Sequence, residues 1–316
     1  MRYVPLGRSG LVVSAVGLGC NNFGVRAGPE EGRAVIDAAV EAGVTLFDTA
    51  DIYGGLGRSE EILGAALAGR RDQVVVATKF GHSGYDMGYG PAAGAKGGRS
   101  YVRRAVEASL RRLRTDWIDL YQLHTPDPVT PVEETLAALH ELVQEGKVRY
   151  LGHSNLSGWQ IADAAHVADQ GHLTPFVSAQ NEYSLLDTDV EAEVVPACTH
   201  FGLGLLPFYP LASGLLTGKV SRANGIPAQS RLAARADYVT DVRLDRVEAL
   251  TAWAAEAGRS LLEVAVGGLA AKPAVASVIA GAMTPAQVRA NVAAGEWVPT
   301  PDERDSLDAL TRWGRA

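Results

Sequence analysis

Eight short apolar runs, regularly interleaved with amphipathic stretches, constrain this chain more than any other feature. The runs are SAVGLG (14–19), VTLFD (44–48), VVVATK (74–79), WIDLYQLH (117–124), VRYLGHSN (148–155), FVSAQN (176–181), LGLLPF (203–208) and ASVIAG (276–281). Helix-like segments separate them at 29–42, 59–69, 100–114, 131–145, 157–170 and 189–201. Strands that are apolar almost throughout need cover on both faces, and intervening helices make successive strands parallel. Eight such units in 316 residues predict an α/β chain closed into a (β/α)8 barrel rather than an open sheet. Length alone would suit two domains, but no linker breaks the alternation, so a single barrel domain over 1–316 is expected. The opening RYVPLGRSGLVV places a Gly-Arg-Ser-Gly turn between two apolar runs. It reads as a β-hairpin that could plug the lower end of the barrel.

Charge and cysteine usage narrow the function classes. A formal net charge of −7 argues against a strongly basic nucleic-acid face. The N-terminus lacks the uninterrupted apolar run of a signal peptide, and no stretch approaches the roughly 18 apolar residues of a membrane helix. A cytoplasmic address without membrane or nucleic-acid partners is therefore expected. The two cysteines, Cys20 and Cys198, lie far apart, and the histidines avoid ligand-like spacing. No disulfide framework and no metal are expected.

Two stretches depart from the β/α rhythm: 81–99, rich in Gly, Ala and Pro, and 211–240, which carries Lys219, Arg222, Arg231 and Arg235. Each follows a strand, and in a barrel such insertions lie on the active face. Both are candidate flaps over substrate or cofactor.

The strand ends carry the chemistry. They finish in Asp48, Lys79, His124, Ser154 with Asn155, Gln180 and Phe208, each about one β/α unit from the last. In a barrel these residues converge on one mouth. Tyr53 lies just beyond Asp48. A free tyrosine, with a pKa of about 10, is a poor acid at neutral pH. A neighbouring ammonium such as Lys79 would favour the phenolate and lower that value, and Asp48 could hold Lys79 charged. His124 could orient a carbonyl oxygen. Taken singly, Lys79 fits a solvated lysine, His124 a hydrogen-bonded structural histidine, and Tyr53 with Asp48 a turn before a helix; the ordered set points to proton delivery onto a developing alkoxide. His82 and His153 read as structural, Tyr183 as packing, Trp117 as a core strand residue, and Trp297 as either a packed tail or part of the pocket lining.

DTADIYG followed by GRSEE, VVVATKF, DLYQLH, GHSN, QNEYSLL and PLASGLLTGK resembles the successive signatures of the aldo-keto reductase family. Within it the chain is similar to the branch of bacterial aldo-keto reductases and potassium-channel beta subunits, over essentially its whole length. The resemblance implies a barrel with an N-terminal hairpin and extra C-terminal helices, an extended nicotinamide cofactor with NADP(H) expected ahead of NAD(H), and reversible reduction of a small carbonyl substrate to its alcohol. Carried over by position, it implies Tyr53 as proton donor, Lys79 as its pKa-lowering partner, Asp48 as the ion-pair partner of Lys79, and His124 as the carbonyl-orienting residue. Ser154, Asn155 and Gln180 match the positions that bond the nicotinamide carboxamide, and Phe208 the ring stacked on it. Leu211, Ser213, Gly214, Lys219 and Arg231 match the segment closing over the cofactor phosphates. Gly281, Thr284, Gln287 and Asn291 match the adenosine end. Thr284-Pro285 also reads as an N-cap and first helical residue, whose helix N-terminus would favour a phosphate.

Three departures from the family pattern stand out. Phe208-Tyr209 replaces a common Tyr-Ser; Met283 and Ala290 replace more usual residues, leaving Arg289 as the available positive charge beside a 2′-phosphate; and Cys20 and Asn22 occupy GLGCNNFG near the substrate pocket. No GxGxxG follows a first strand and no GxSxG is present, which disfavours a Rossmann dehydrogenase and a hydrolase. The alternative to an enzyme is a nicotinamide-binding redox sensor or scaffold with little turnover.

Overall fold

The computed structural model describes residues 1–227 and 230–313. Ala228 and Gln229, within the 211–240 stretch, and the last three residues of the expected 1–316 domain lie outside the described residues. A two-stranded antiparallel hairpin, β1 (Tyr3–Pro5) and β2 (Val12–Ser14), opens the chain. Eight parallel strands follow: β3 (Val16–Gly19), β4 (Leu46–Asp48), β5 (Val75–Phe80), β6 (Ile118–Leu123), β7 (Val148–Ser154), β8 (Phe176–Gln180), β9 (Gly204–Leu205) and β10 (Val278–Gly281). Every apolar run predicted as a strand holds one of them, β5 alone reaching one residue past its run, to Phe80.

The sheet runs β10-β3-β4-β5-β6-β7-β8-β9 and closes on itself. Leu205 donates to Ala274 O at 2.7 Å and accepts from Ala276 N at 2.9 Å, and Ile279 N donates to Pro207 O at 3.0 Å. The result is the expected (β/α)8 barrel. Its helices include Pro29–Glu41, Arg58–Ala66, Arg99–Leu113, Val132–Gln144, Gly158–Gln170 and Val194–Phe201. Two further helices, Pro285–Ala294 and Pro301–Leu310, end the described chain.

Residues on the outer strand faces pack with the helices in one large core that includes Phe47, Val76, Phe80, Tyr121 and Leu151. Inside the barrel a smaller core joins Leu46, Ala77, Leu120, Leu206 and Ile279 to Leu6 and Val13 of the hairpin. The hairpin therefore plugs the N-terminal end of the strands. Gly7 makes this seat possible: it has φ +59°, and a Cβ would lie 2.4 Å from Gly202 O. A third core under the 211–240 stretch joins Leu185, Leu215, Leu232, Leu250, Trp297 and Leu307. Trp297 thus packs in the C-terminal region rather than lining the mouth. Trp117 corrects its expectation: β6 begins one residue later, and the half-buried indole lies between the guanidinium groups of Arg71 and Arg149, at 4.7 and 4.6 Å.

Candidate active site

Alternate residues of a strand point to the same face, so each strand sends one file of side chains into the barrel. On β4, β5 and β6 that file changes from apolar to polar as the strand rises: Leu46 then Asp48, Ala77 then Lys79, Leu120 then Gln122. Parallel register pairs Lys79 with Gln122, Gln122 with Gly152, Gly152 with Ser178, and Ser154 with Gln180. A polar layer is thereby assembled above an apolar one. Gly152 supplies its clearance, because a Cβ there would lie 2.3 Å from Ser178 Oγ and 3.1 Å from Gln122 Cγ.

Lys79 is fully buried and its ammonium is saturated by the layer. Nζ donates to Asp48 Oδ2 at 2.7 Å, Thr49 O at 2.9 Å and Tyr53 Oη at 3.4 Å. The other carboxylate oxygen, Asp48 Oδ1, accepts from Gln180 Nε2 at 2.9 Å and Gln122 Nε2 at 3.2 Å. His124 meets the Tyr53 ring edge-on at 5.8 Å, and His82 meets His124 edge-on at 4.7 Å. Asp48, Tyr53, Lys79 and His124 are thus brought together as predicted.

Protonation follows from this packing. Burial works against charge on Lys79, but Asp48 and Tyr53 outweigh it and the ammonium pKa lies above its ordinary value. His124 is pushed down to about 2 by burial, assisted by Lys79 and His82, so its imidazole is neutral. The expected lowering of the Tyr53 pKa is corrected. Burial raises it, Asp48 adds to the rise, and the opposing pull of Lys79 leaves a net shift upward. The phenol consequently holds its proton firmly at neutral pH. In this arrangement a half-buried phenol can deliver a proton, an ammonium can stabilise the phenolate left behind, and a neutral imidazole can hydrogen-bond a carbonyl oxygen.

A cavity of about 1130 Å³ opens over this layer. Asp48, Tyr53, His124, Ser154, Asn155, Gln180, Phe208, Leu211, Ser213, Gly214, Lys219, Arg231, Gly281, Gln287 and Asn291 all line it. Two expected residues do not. Lys79 lies behind Tyr53, and Thr284 stands aside as the N-cap of the Pro285–Ala294 helix, its Oγ1 accepting from Gln287 N at 3.3 Å. Arg289 is exposed on that helix and is not among the described lining residues.

The fit of a carboxamide can be judged from hydrogen bonds already made. Asn155 Nδ2 is engaged by His124 O at 2.9 Å and Ser154 Oγ at 3.0 Å, and Ser154 Oγ donates to Gln180 O at 2.8 Å. Gln180 Nε2 is held by Asp48 and Gln122. Among the described residues nothing engages Asn155 Oδ1 or Gln180 Oε1, which leaves two acceptors for an amide –NH2. Asn155, Tyr209 and Ser213 line the cavity with positive φ, at 63°, 52° and 58°. Such backbone is uncommon outside glycine and gathers at binding sites.

A family model for the aldo/keto reductase family matches residues 15–312. The chain belongs to the aldo/keto reductase family. It is 39% identical over 303 residues to "Uncharacterized oxidoreductase YrpG" of Bacillus subtilis, covering 94% of this chain and 91% of that one. It is also 39% identical to a "Probable voltage-gated potassium channel subunit beta" of Oryza sativa subsp. japonica, covering 99% and 97%. L-glyceraldehyde 3-phosphate reductase of Escherichia coli O157:H7 is 34% identical, covering 93% and 87%. The oxidoreductase assignment and the barrel thus agree with the family that the motifs resemble.

In this aldo/keto reductase the sequence reading missed several residues at the mouth. Gln122 is the second amide on Asp48, and its signal was present: it lies two positions before His124, in the same interior file. His82, read as structural, lines the cavity together with Tyr85, Asn21 and Arg26. These four sit on segments after β3 and β5, where no periodicity marks which side chains turn inward. His153 and Tyr183 are buried outside the described lining, as read. Among the described residues no helix is long and apolar enough to cross a membrane.

Proposed function

We propose that this chain reduces aldehydes or ketones to alcohols, reversibly, with NADP(H) ahead of NAD(H) as cofactor and Tyr53 as the general acid. The observation that carries the reading is the buried Asp48–Lys79–Tyr53 chain beside a neutral His124, at the floor of a cavity of about 1130 Å³. When bound, the nicotinamide supplies a hydride for the carbonyl carbon. Asn155 and Gln180 offer acceptors to its carboxamide, Phe208 a ring face, and Lys219 and Arg231 positive charge for its phosphates. Among the described residues His124 Nδ1 is buried without a partner, and the neutral ring hydrogen-bonds the carbonyl oxygen. Tyr53 Oη gives its proton to that oxygen, and Lys79, held by Asp48, stabilises the phenolate that results. The proton is then recovered from solvent through the open mouth.

The test is NADPH absorbance at neutral pH with 4-nitrobenzaldehyde, wild type beside Tyr53→Phe. Loss of the acid should lower kcat by about 10²–10⁴ while cofactor affinity, read by fluorescence, is kept. Full activity in Tyr53→Phe would remove Tyr53 from the mechanism. A repeat with NADH ranks the two cofactors. The likeness to potassium-channel beta subunits supports a second reading, a nicotinamide-bound sensor; tight NADPH binding with negligible turnover across carbonyls would favour it.

A further inference from the structure

His82 lines the cavity beside His124, and the reaction as described leaves it without a role. The turn that carries it is pinned. Lys96 Nζ donates to His82 O, Ser83 O and Tyr85 O. Ser83 N donates at 3.0 Å to Oγ1 of Thr125, the residue after His124, and Thr125 Oγ1 donates to Gly81 O at 3.2 Å. The Tyr85 ring packs edge-on against the imidazole of His82, with centroids 5.1 Å apart.

One hydrogen bond also fixes where the His82 proton sits. Gly84 N donates to His82 Nδ1 at 3.0 Å, so Nδ1 presents its lone pair and the neutral ring carries hydrogen on Nε2. Burial and then Lys96 lower the pKa of His82, which keeps the ring neutral at pH 7. Its Nδ1–Cε1 edge faces Gly84, where a Cβ would lie 3.4 and 3.3 Å from those two atoms. Among the described residues nothing accepts from Nε2, so the cavity holds one oriented donor without an acceptor. The His82 and His124 rings meet at right angles with centroids only 4.7 Å apart. Two imidazoles in contact reach oxygens with the spacing found on neighbouring carbons of one molecule. With His124 on the carbonyl oxygen, the His82 donor falls to an oxygen on the next carbon.

Resting on the carbonyl-reduction reading, we propose that His82 determines specificity: its Nε2–H binds an oxygen on the carbon adjoining the reacting carbonyl, so 2-hydroxy carbonyl or 1,2-dicarbonyl compounds are the preferred substrates.

The experiment measures kcat/KM with NADPH for two matched pairs, 2-hydroxyacetophenone with acetophenone and 2,3-butanedione with 2-butanone. Each pair is expressed as the ratio of the oxygenated to the plain member. Comparing that ratio between wild type and variant cancels the intrinsic reactivity of the compounds. His82→Asn keeps an acceptor for Gly84 N but has no donor at the Nε2 position, whereas His82→Gln places an amide N–H there. Loss of one neutral hydrogen bond should lower the ratio about 5- to 10-fold in His82→Asn in at least one pair, chiefly through KM. His82→Gln should return it to within about twofold of wild type. Which pair responds distinguishes a hydroxyl from a second carbonyl. A ratio unchanged in His82→Asn for both pairs overturns the proposal, even where both members lose activity together, since that is what a merely structural histidine would do. So does a fall that His82→Gln does not lessen, or turnover of 4-nitrobenzaldehyde by a wild type that accepts none of the four ketones. If the wild type turns over none of the five compounds, the carbonyl-reduction reading itself fails, and this inference with it.

Discussion

Replacing Lys79 by methionine separates what the buried charge does for folding from what it does for chemistry. At 2.7 Å the Lys79–Asp48 attraction amounts to about 6 kcal/mol at an effective dielectric of about 20. Desolvating the two ions costs several kcal/mol each, so the intact pair contributes little net stability. The single variant is different, because it leaves the Asp48 carboxylate buried with only the amides of Gln122 and Gln180. Orphaning a buried charge costs about 3–5 kcal/mol. For a chain of this length that is a fall in Tm of roughly 5–8 °C. Adding Asp48→Asn removes the orphan while keeping an oxygen for the same two amides, so the double variant should recover most of the lost Tm. Turnover should not recover, since in both variants the phenolate of Tyr53 lacks its ammonium; each should sit about 10²–10⁴ below wild type in kcat with NADPH and 4-nitrobenzaldehyde. The sign of the pH dependence is also fixed. The folded pKa of Lys79 is raised, so its contribution is complete below the unfolded value of about 10.4 and is lost only as pH climbs through the folded one. The Tm gap between wild type and Lys79→Met should therefore persist through neutral pH and narrow only in strong alkali. A double variant no more stable than the single, or a single variant within about 1 kcal/mol of wild type, would refute the orphaned-charge argument.

The other titrating groups make further claims. His124, with a pKa near 2, stays neutral across the working range, so kcat/KM should show no histidine inflection between pH 5 and 8; one near pH 6.5 that vanishes in His124→Gln would contradict the neutral-imidazole role. For stability, the unfolded chain takes up this proton below about pH 6.5 and the native chain does not, so His124 makes acidification destabilising. Asp51 works the other way. Fully buried, with its pKa raised to about 7 by burial and then by Glu60, it favours the fold at low pH and loses that contribution as pH rises through 7. Asp51→Asn should raise Tm relative to wild type at pH 8, by the equivalent of roughly 1–3 kcal/mol, and the gain should shrink by pH 5. An equal difference at both pH values would count against it.

How much was legible in the sequence divides along physical lines. The eight strands could be read because each is buried on both faces, and burial writes itself as an apolar run of strand length. Asp48, Lys79, His124, Ser154 and Gln180 could be placed at one mouth because parallel strands all end on the same side. That argument needs connectivity and nothing about side-chain packing. Thr284 as an N-cap followed from local chemistry alone, and its hydroxyl does bond Gln287 N. Arg26, His82 and Tyr85 lie on loops whose paths are set by tertiary contact, so no period in the sequence announces which of them turns toward the cavity. The contact between Arg231 and Asn22 spans 209 residues and joins two such loops.

The tyrosine shows most clearly where sequence reasoning stops. Proximity of Lys79 to Tyr53 was correctly inferred, and by itself it favours the phenolate. The sign of the net shift depends on a competing quantity, the desolvation of the phenol, which belongs to the closed barrel and to no residue in particular. The same closure that buries Tyr53 also buries Lys79, and there the balance falls the other way, because Asp48 sits 2.7 Å from the ammonium. One environment thus holds a proton on the phenol and a charge on the amine. An acid that must keep its proton until a carbonyl oxygen gains electron density needs both. The ammonium matters most after the proton has left, when it stands beside the phenolate, the two atoms lying 3.4 Å apart before the proton moves.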